Sequence, residues 1–217
     1  MFRLDPDNIY RSDVLERFSW LDHGFGTRSS AEWPGRNIAT LRQIHSSRVI
    51  FAHRSGDLGE GDALVSNIPG IALTIRTADC LPILIADPEN RAVAAVHAGW
   101  RGTAEKIVLA TLETMAVRFG TNAANVAIAI GPGIGECCYE VGPEVAASIL
   151  SDRGGTYTSM KIDLAQATIR QLRRNGGTVG HIDPSGLCTR CLVEHFHSYR
   201  RDREQAGRMR SAISIRP

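Results

Sequence analysis

Leu81–Ala86 and Ala92–Val96 contain no polar residue. In a β-strand, successive side chains point to opposite faces. A run that is apolar at every position therefore has both faces covered. The link between the two runs, Asp87-Pro88-Glu89-Asn90, is short and rich in turn formers, so the pair reads as an antiparallel hairpin. Such a hairpin has to lie at the centre of the molecule, with a layer packed on each side.

Other short apolar runs occur at close spacing: Val49–Ala52, Ala63–Val65, Ile71–Ile75, Val126–Ile130 and Ser211–Ile215. Each is bounded by turn-forming residues and reads as a strand. The stretch His23–Asn37 (HGFGTRSSAEWPGRN) reads as loop. A helix is expected from about Thr103, its N-cap, with Val108, Leu112, Met115 and Phe119 facing the core and Gly120 as its stop. A second is expected from Pro143 to Leu150, and a third from the N-cap Asp163 to Gly176. Strands come first and helices later, which is an α+β order rather than a regular βαβ alternation. Without an internal repeat or a linker, residues 1–217 read as one domain.

The net charge of +2 is too weak a field to suggest nucleic acid as a partner. Among the cationic residues only Lys106 and Lys161 are lysines. That bias reads as base composition, or as arginines gripping an anion. No apolar run approaches the roughly 20 residues of a membrane span, and the opening residues show no signal peptide. Five cysteines make an odd count that does not read as a disulfide framework. A reducing cytoplasmic setting is therefore expected, with no membrane partner.

Three side chains stand out for chemistry: His45 in LRQIHSSRV, Cys80 in TADCLPI and His97 in AVHAGWRG. Cys80 opens one hairpin strand and His97 closes the other, so antiparallel pairing brings them together. Two imidazoles and a thiolate suit Zn²⁺ with an open fourth position, and the same ligand types occur in copper centres. Three separate structural residues are the alternative reading.

Several blocks carry a resemblance. TADCLPILIAD…AAVHAGWRGT, IGPGIGECCYEVG and CTRC…FHSYRRD…GRMRSAIS resemble the bacterial laccase-domain family, also called YfiH-type or multicopper polyphenol oxidase. HGFGTR, QIHSSRV and GDALVS match its remaining blocks in order, from about residue 23 to 215. The resemblance implies an α+β, YfiH-like (cysteine-hydrolase-like) fold of mixed β-sheets packed between helices. It implies His45, Cys80 and His97 as ligands of a catalytic Zn²⁺, with Cu²⁺ the alternative. It also implies phosphorolysis of purine nucleosides such as adenosine, inosine and methylthioadenosine, with phosphate as co-substrate, and adenosine deamination as a further activity. One departure is a shortened stretch between HGFGTR and QIHSSRV, where Asn37-Ile38 stands in place of a longer Asn-Leu-Gly block.

Asp79 is expected either to orient a ligand histidine or act as acid/base, or to cap a turn. Asp62 is ambiguous in the same way, with the turn favoured. Gln43 shares a face with His45 if the segment is extended, and so reaches the pocket. Arg101, before the expected helix at Thr103, reads as a phosphate ligand. Glu136 and Glu140 are candidate proton shuttles by loop position, and Arg200 and Arg208 candidate anion contacts. Vicinal Cys137 and Cys138 read as packing. Cys188, Cys191, His195 and His197 form a ligand-like cluster, but its Cys-to-His gap is too short for a zinc finger.

The competing readings are copper oxidation of phenols, a metal-free cysteine hydrolase with Cys80 as nucleophile and His97 as base, acting on amide bonds such as those of peptidoglycan precursors, and a metal-binding protein without turnover. Seven histidines are too few to gather a multi-copper cluster at one place.

Overall fold

The computed structural model describes residues 1–31, 33, 37–151, 160–175 and 179–217. In chain order the strands are β1 (Phe2–Leu4), β2 (Ile9–Ser12), β3 (Leu21–Gly26), β4 (Ile38–Arg42), β5 (Val49–Phe51), β6 (Gly56–Glu60), β7 (Ala63–Ser66), β8 (Ala72–Thr77), β9 (Leu81–Asp87), β10 (Ala92–Ala98), β11 (Ala127–Ile130), β12 (Glu140–Val141), β13 (Met160–Lys161), β14 (His181–Pro184) and β15 (Met209–Ile215). The helices are α1 (Asp13–Glu16), α2 (Trp100–Ala104), α3 (Ile107–Phe119), α4 (Pro143–Ile149), α5 (Leu164–Asn175) and α6 (Tyr199–Asp202).

The strands form two large mixed sheets, one in the order β1-β2-β3-β15-β8-β4-β6 and one in the order β14-β11-β9-β10-β7-β5. A small third sheet pairs β12 with β13. The hairpin expected from the apolar runs is β9–β10, in register from Ala92↔Asp87 to Ala98↔Leu81. Its turn is fastened by Asp87, whose carboxylate accepts the Glu89 and Asn90 amides at 3.0 and 3.1 Å. Every residue of both strands is buried. One parity (Ile83, Ile85, Ala94, Val96) packs with Ile107, Leu112 and Met115 of α3 and Leu172 of α5. The other (Leu84, Ala86, Val93, Ala95) packs against Leu73, Ile75 and Ile213 of the first sheet. The layers are thus sheet, sheet and helices. A small cluster of Ile9, Trp33, Ala72 and Ala212 also lies in the first sheet. No helix among the described residues is long and apolar enough to cross a membrane.

Two local expectations fail for physical reasons. His23–Gly26 is not loop but the end of β3. Its glycines belong there because neighbours crowd them: a Cβ on Gly24 would lie 2.4 Å from Ile9 Cγ2, and one on Gly26 would lie 2.7 Å from the Arg210 carbonyl oxygen. Thr103 is not an N-cap but a buried residue within α2, which Gly99 caps. Lys106 then turns left-handed (φ 60°) and separates α2 from α3. Gly120 ends α3 at φ 76°, as expected. Asp163 caps α5 by accepting the Gln166 amide at 2.9 Å. The expected stop at Gly176 lies outside the described residues.

Candidate metal centre

The β9–β10 register pairs His97 with Pro82 and Ala98 with Leu81, which places Cys80 beside the end of β10. His45 arrives from the turn after β4. Its backbone is left-handed (φ 60°), a conformation uncommon outside glycine. The cause of that turn is Asp62, which is fully buried. Its carboxylate accepts the amides of Ile44 (3.3 Å), His45 (3.0 Å) and Ser46 (2.7 Å), together with the Ser46 hydroxyl (2.8 Å). The chain is wrapped around this one anion, and His45 is delivered by the wrapping.

Asp62 also holds the second histidine. Nδ1 of His97 lies 2.8 Å from Asp62 Oδ1, and the His97 amide donates to the Asp62 carbonyl at 2.7 Å. Nε2 of His97 is thereby the nitrogen left to face the site. The candidate ligand atoms of His45, Cys80 and His97 lie within 4.8 Å of one another, and the two imidazoles meet edge to face at 4.9 Å. Gly99 makes the convergence possible. A Cβ there would sit 2.9 Å from Cys80 Sγ and 3.3 Å from His45 Cδ2.

The electrostatics favour the Cys80 thiolate. Burial pushes the Cys80 thiol up, but hydrogen bonds and charge from His45 and His97 outweigh it and bring the thiol down to about 6. Burial likewise lowers His97, and the Asp62 and Cys80 partners reverse this, raising it to about 9. Asp62 is held down at about 2: its own burial acts the other way but is outweighed by His97 and Ser46. A thiolate and two oriented imidazoles fit a tetrahedral Zn²⁺ with one position open.

The structure redistributes the remaining expectations. Asp79 does not hold either histidine; Asp62 bonds the His97 ring. Both Asp79 carboxylate oxygens are engaged elsewhere, accepting from the Thr189 hydroxyl (2.7 Å) and the Arg200 amide (2.6 Å). Gln43 is committed to the backbone of β8, its amide donating to the Arg76 carbonyl and accepting the Arg76 amide, both at 2.8 Å. Arg101 lies on α2, exposed, with its guanidinium over the Trp100 ring at 4.5 Å. Glu136 and Glu140 are exposed. Arg208 bonds its own neighbours, the Ala206 and Gly207 carbonyls. His195 bonds the Tyr10 hydroxyl at 3.0 Å and does not join Cys188 and Cys191, nor does His197.

Tyr139 follows the glycine-rich segment 131–135 and is buried. Burial and the Cys80 charge push its phenol up to about 12, against the opposing pull of Arg200 and Arg101. The Arg200 guanidinium stacks on its ring at 5.2 Å. A separate concavity of about 630 Å³ is lined by Arg28, His197 and Arg203 and by none of His45, Cys80, His97 and Tyr139.

The chain is 42% identical over 188 residues to a purine nucleoside phosphorylase of Deinococcus radiodurans, covering 82% of this chain and 70% of that one. It is 36% identical over 196 residues to adenosine deaminase RL5 from an unknown prokaryote, covering 82% and 74%. The solved structure of YlmD from Geobacillus stearothermophilus superposes with a TM-score of 0.88 at 25% identity, over 100% of this chain and 99% of that one. YfiH of Bacillus licheniformis superposes at 0.86 with 26% identity, over 99% of each chain. The family model described as multi-copper polyphenol oxidoreductase laccase matches residues 26–216, and the chain belongs to that family.

Proposed function

We propose that this protein is a zinc-dependent purine nucleoside phosphorylase acting on adenosine, inosine or methylthioadenosine, with adenosine deamination as a secondary reaction. The observation that carries the proposal is the convergence of His45, Cys80 and His97 on one point, with Asp62 holding two of the three. The names of the relatives, phosphorylases and one deaminase, support the reaction class.

When bound, Zn²⁺ supplies a positive charge beside the reacting oxygen and lowers the pKa of a bound water. The chain's own residues do the rest. Asp62 fixes the His97 tautomer and keeps Nε2 directed inward. Cys80 contributes its thiolate. Arg101, exposed on α2, and Arg200, whose guanidinium lies over Tyr139, bind the phosphate anion. Asp79 is a positioning residue: by accepting the Arg200 amide it sets where that arginine starts.

One observation favours a second reading. Cys80, His97 and Asp62 stand in the order nucleophile, base and orienting carboxylate, which is the arrangement of a cysteine hydrolase needing no metal. A phenol-oxidising multi-copper site finds less support. Among the described residues the only other ligand cluster is made of cysteines rather than histidines.

The deciding experiment measures release of adenine or hypoxanthine by zinc-loaded protein, with and without inorganic phosphate. Phosphate-dependent release that disappears in Cys80→Ala supports the phosphorylase. Hydrolysis of an amide substrate that survives complete removal of metal and disappears in Cys80→Ala supports the hydrolase.

A further inference from the structure

Five cysteines are present, and Cys80 belongs to the centre described above. The remaining four, Cys137, Cys138, Cys188 and Cys191, form one cluster with all sulfurs within 4.8 Å of one another. They come from two loops far apart in sequence, Gly131–Tyr139 and Gly186–Cys191. The loops are joined by an isolated bridge between Gly133 and Cys188 and by the Thr189 amide donating to the Gly133 carbonyl at 2.9 Å. From this cluster we infer that the four cysteines hold a second metal ion, a structural Zn²⁺ bound by four thiolates.

The spacing supports this assignment. Cys137 and Cys138 lie 3.7 Å apart, Cys137 and Cys191 3.6 Å, and Cys138 and Cys191 3.4 Å, sulfur to sulfur. A tetrahedron with Zn–S bonds of about 2.3 Å has edges of about 3.8 Å. A disulfide needs about 2.05 Å, and four convergent sulfurs are more than one disulfide uses. An iron–sulfur cluster places several metal atoms between its thiolates and needs them farther apart. Cys188 and Cys191 also have the C-x₂-C spacing of structural zinc ligands.

Cys188 has a backbone donor aimed at its sulfur: Sγ accepts the Gly135 amide at 3.2 Å. A Cβ on Gly135 would press on the cluster, lying 3.2 Å from Cys188 Cβ and 3.4 Å from Cys137 Sγ. The cluster is open to solvent at Cys137 and Cys191, so ions can enter.

The site has a structural consequence for the first centre. The same two loops grip Asp79, through the Ile134 amide on its carbonyl (2.8 Å) and the Thr189 hydroxyl on its carboxylate (2.7 Å). Asp79 immediately precedes Cys80. A zinc clamp across these loops holds the approach to Cys80 in place.

The test uses full-length Cys80→Ala protein, reduced and handled without oxygen, so that the first centre lacks its thiolate. Titration with Co²⁺ should show one equivalent bound, with the intense visible bands and near-ultraviolet charge transfer of tetrahedral cobalt in four thiolates, displaced by one equivalent of Zn²⁺. Adding Cys191→Ser should abolish that spectrum or weaken binding about 100-fold. The inference is overturned if the folded, reduced protein takes up no Co²⁺, if the spectrum survives Cys191→Ser, if purified protein carries iron and sulfide, or if the reduced chain's mass shows the cysteines still paired as disulfides.

Discussion

Nδ1 of His97 sits 2.8 Å from the Oδ1 atom of Asp62, a carboxylate that is fully buried and also accepts the backbone amide of His45. One anion therefore orients the His97 imidazole directly and fixes the backbone that carries His45. The same carboxylate accepts the Ile44 and Ser46 amides and the Ser46 hydroxyl, so its loss leaves several donors unsatisfied.

Asp62→Ala should accordingly damage both stability and metal binding. Breaking a buried, charge-assisted network of this kind costs about 3–5 kcal/mol, and removing the orienting partner of a ligand histidine costs about 10–100-fold in metal affinity. Chemical denaturation and a zinc competition titration measure the two effects separately. Wild-type affinity in folded Asp62→Ala would contradict the role assigned to this residue.

Gly99→Ala tests the convergence more gently. The added methyl would press on Cys80 Sγ at 2.9 Å and on His45 Cδ2 at 3.3 Å. The far-ultraviolet dichroism should be unchanged, while turnover falls roughly 100-fold because the ligands are pushed apart by a fraction of an ångström to an ångström. Full activity in this variant would mean that the three side chains do not act together.

Asp79→Asn distinguishes positioning from acid/base work. The carboxylate accepts from Thr189 and Arg200, and an amide satisfies one such donor but not both. Stability should fall by about 1–3 kcal/mol and KM for phosphate should rise, with the pH profile of kcat unmoved. A profile that loses one limb would make Asp79 a proton donor or acceptor instead.

His23 gives the fold a pH dependence independent of the site. It is buried, and its Nε2 accepts the Ser12 amide at 3.0 Å. Burial, reinforced by Arg11, lowers its pKa from 6.5 to about 3. The unfolded chain therefore binds this proton at a higher pH than the folded chain does. The contribution is complete above pH 6.5 and is lost as pH falls from 6.5 towards 3, at about 1.4 kcal/mol per pH unit. His23→Gln, whose side-chain oxygen can still accept the Ser12 amide, should flatten the acid limb of the unfolding curve. An unchanged limb would show that other groups dominate acid unfolding.

The central hairpin was legible because Leu81–Ala86 and Ala92–Val96 state their burial in composition alone, and it carried Cys80 and His97 with it. Other features depended on contacts distant in sequence. The role of Asp62 rests on the turn at Ile44–Ser46 folding back over it, which spacing within GDAL does not express. The glycines of β3 looked like loop because their reason for being glycine is Ile9 and Arg210 on neighbouring strands. Cys137 and Cys138 looked like packing because their partners lie 50 residues and more away, on the loop carrying Cys188 and Cys191.

The most direct measurement is anomalous diffraction from crystals of the protein grown with zinc, with data on both sides of the zinc absorption edge. The account predicts a peak bonded to Cys80 Sγ at about 2.3 Å and to nitrogens of His45 and His97 at about 2.1 Å, with the coordination completed by a small ligand. Density showing the Cys80 thiol free, with no peak within bonding distance of the two imidazoles, would contradict it.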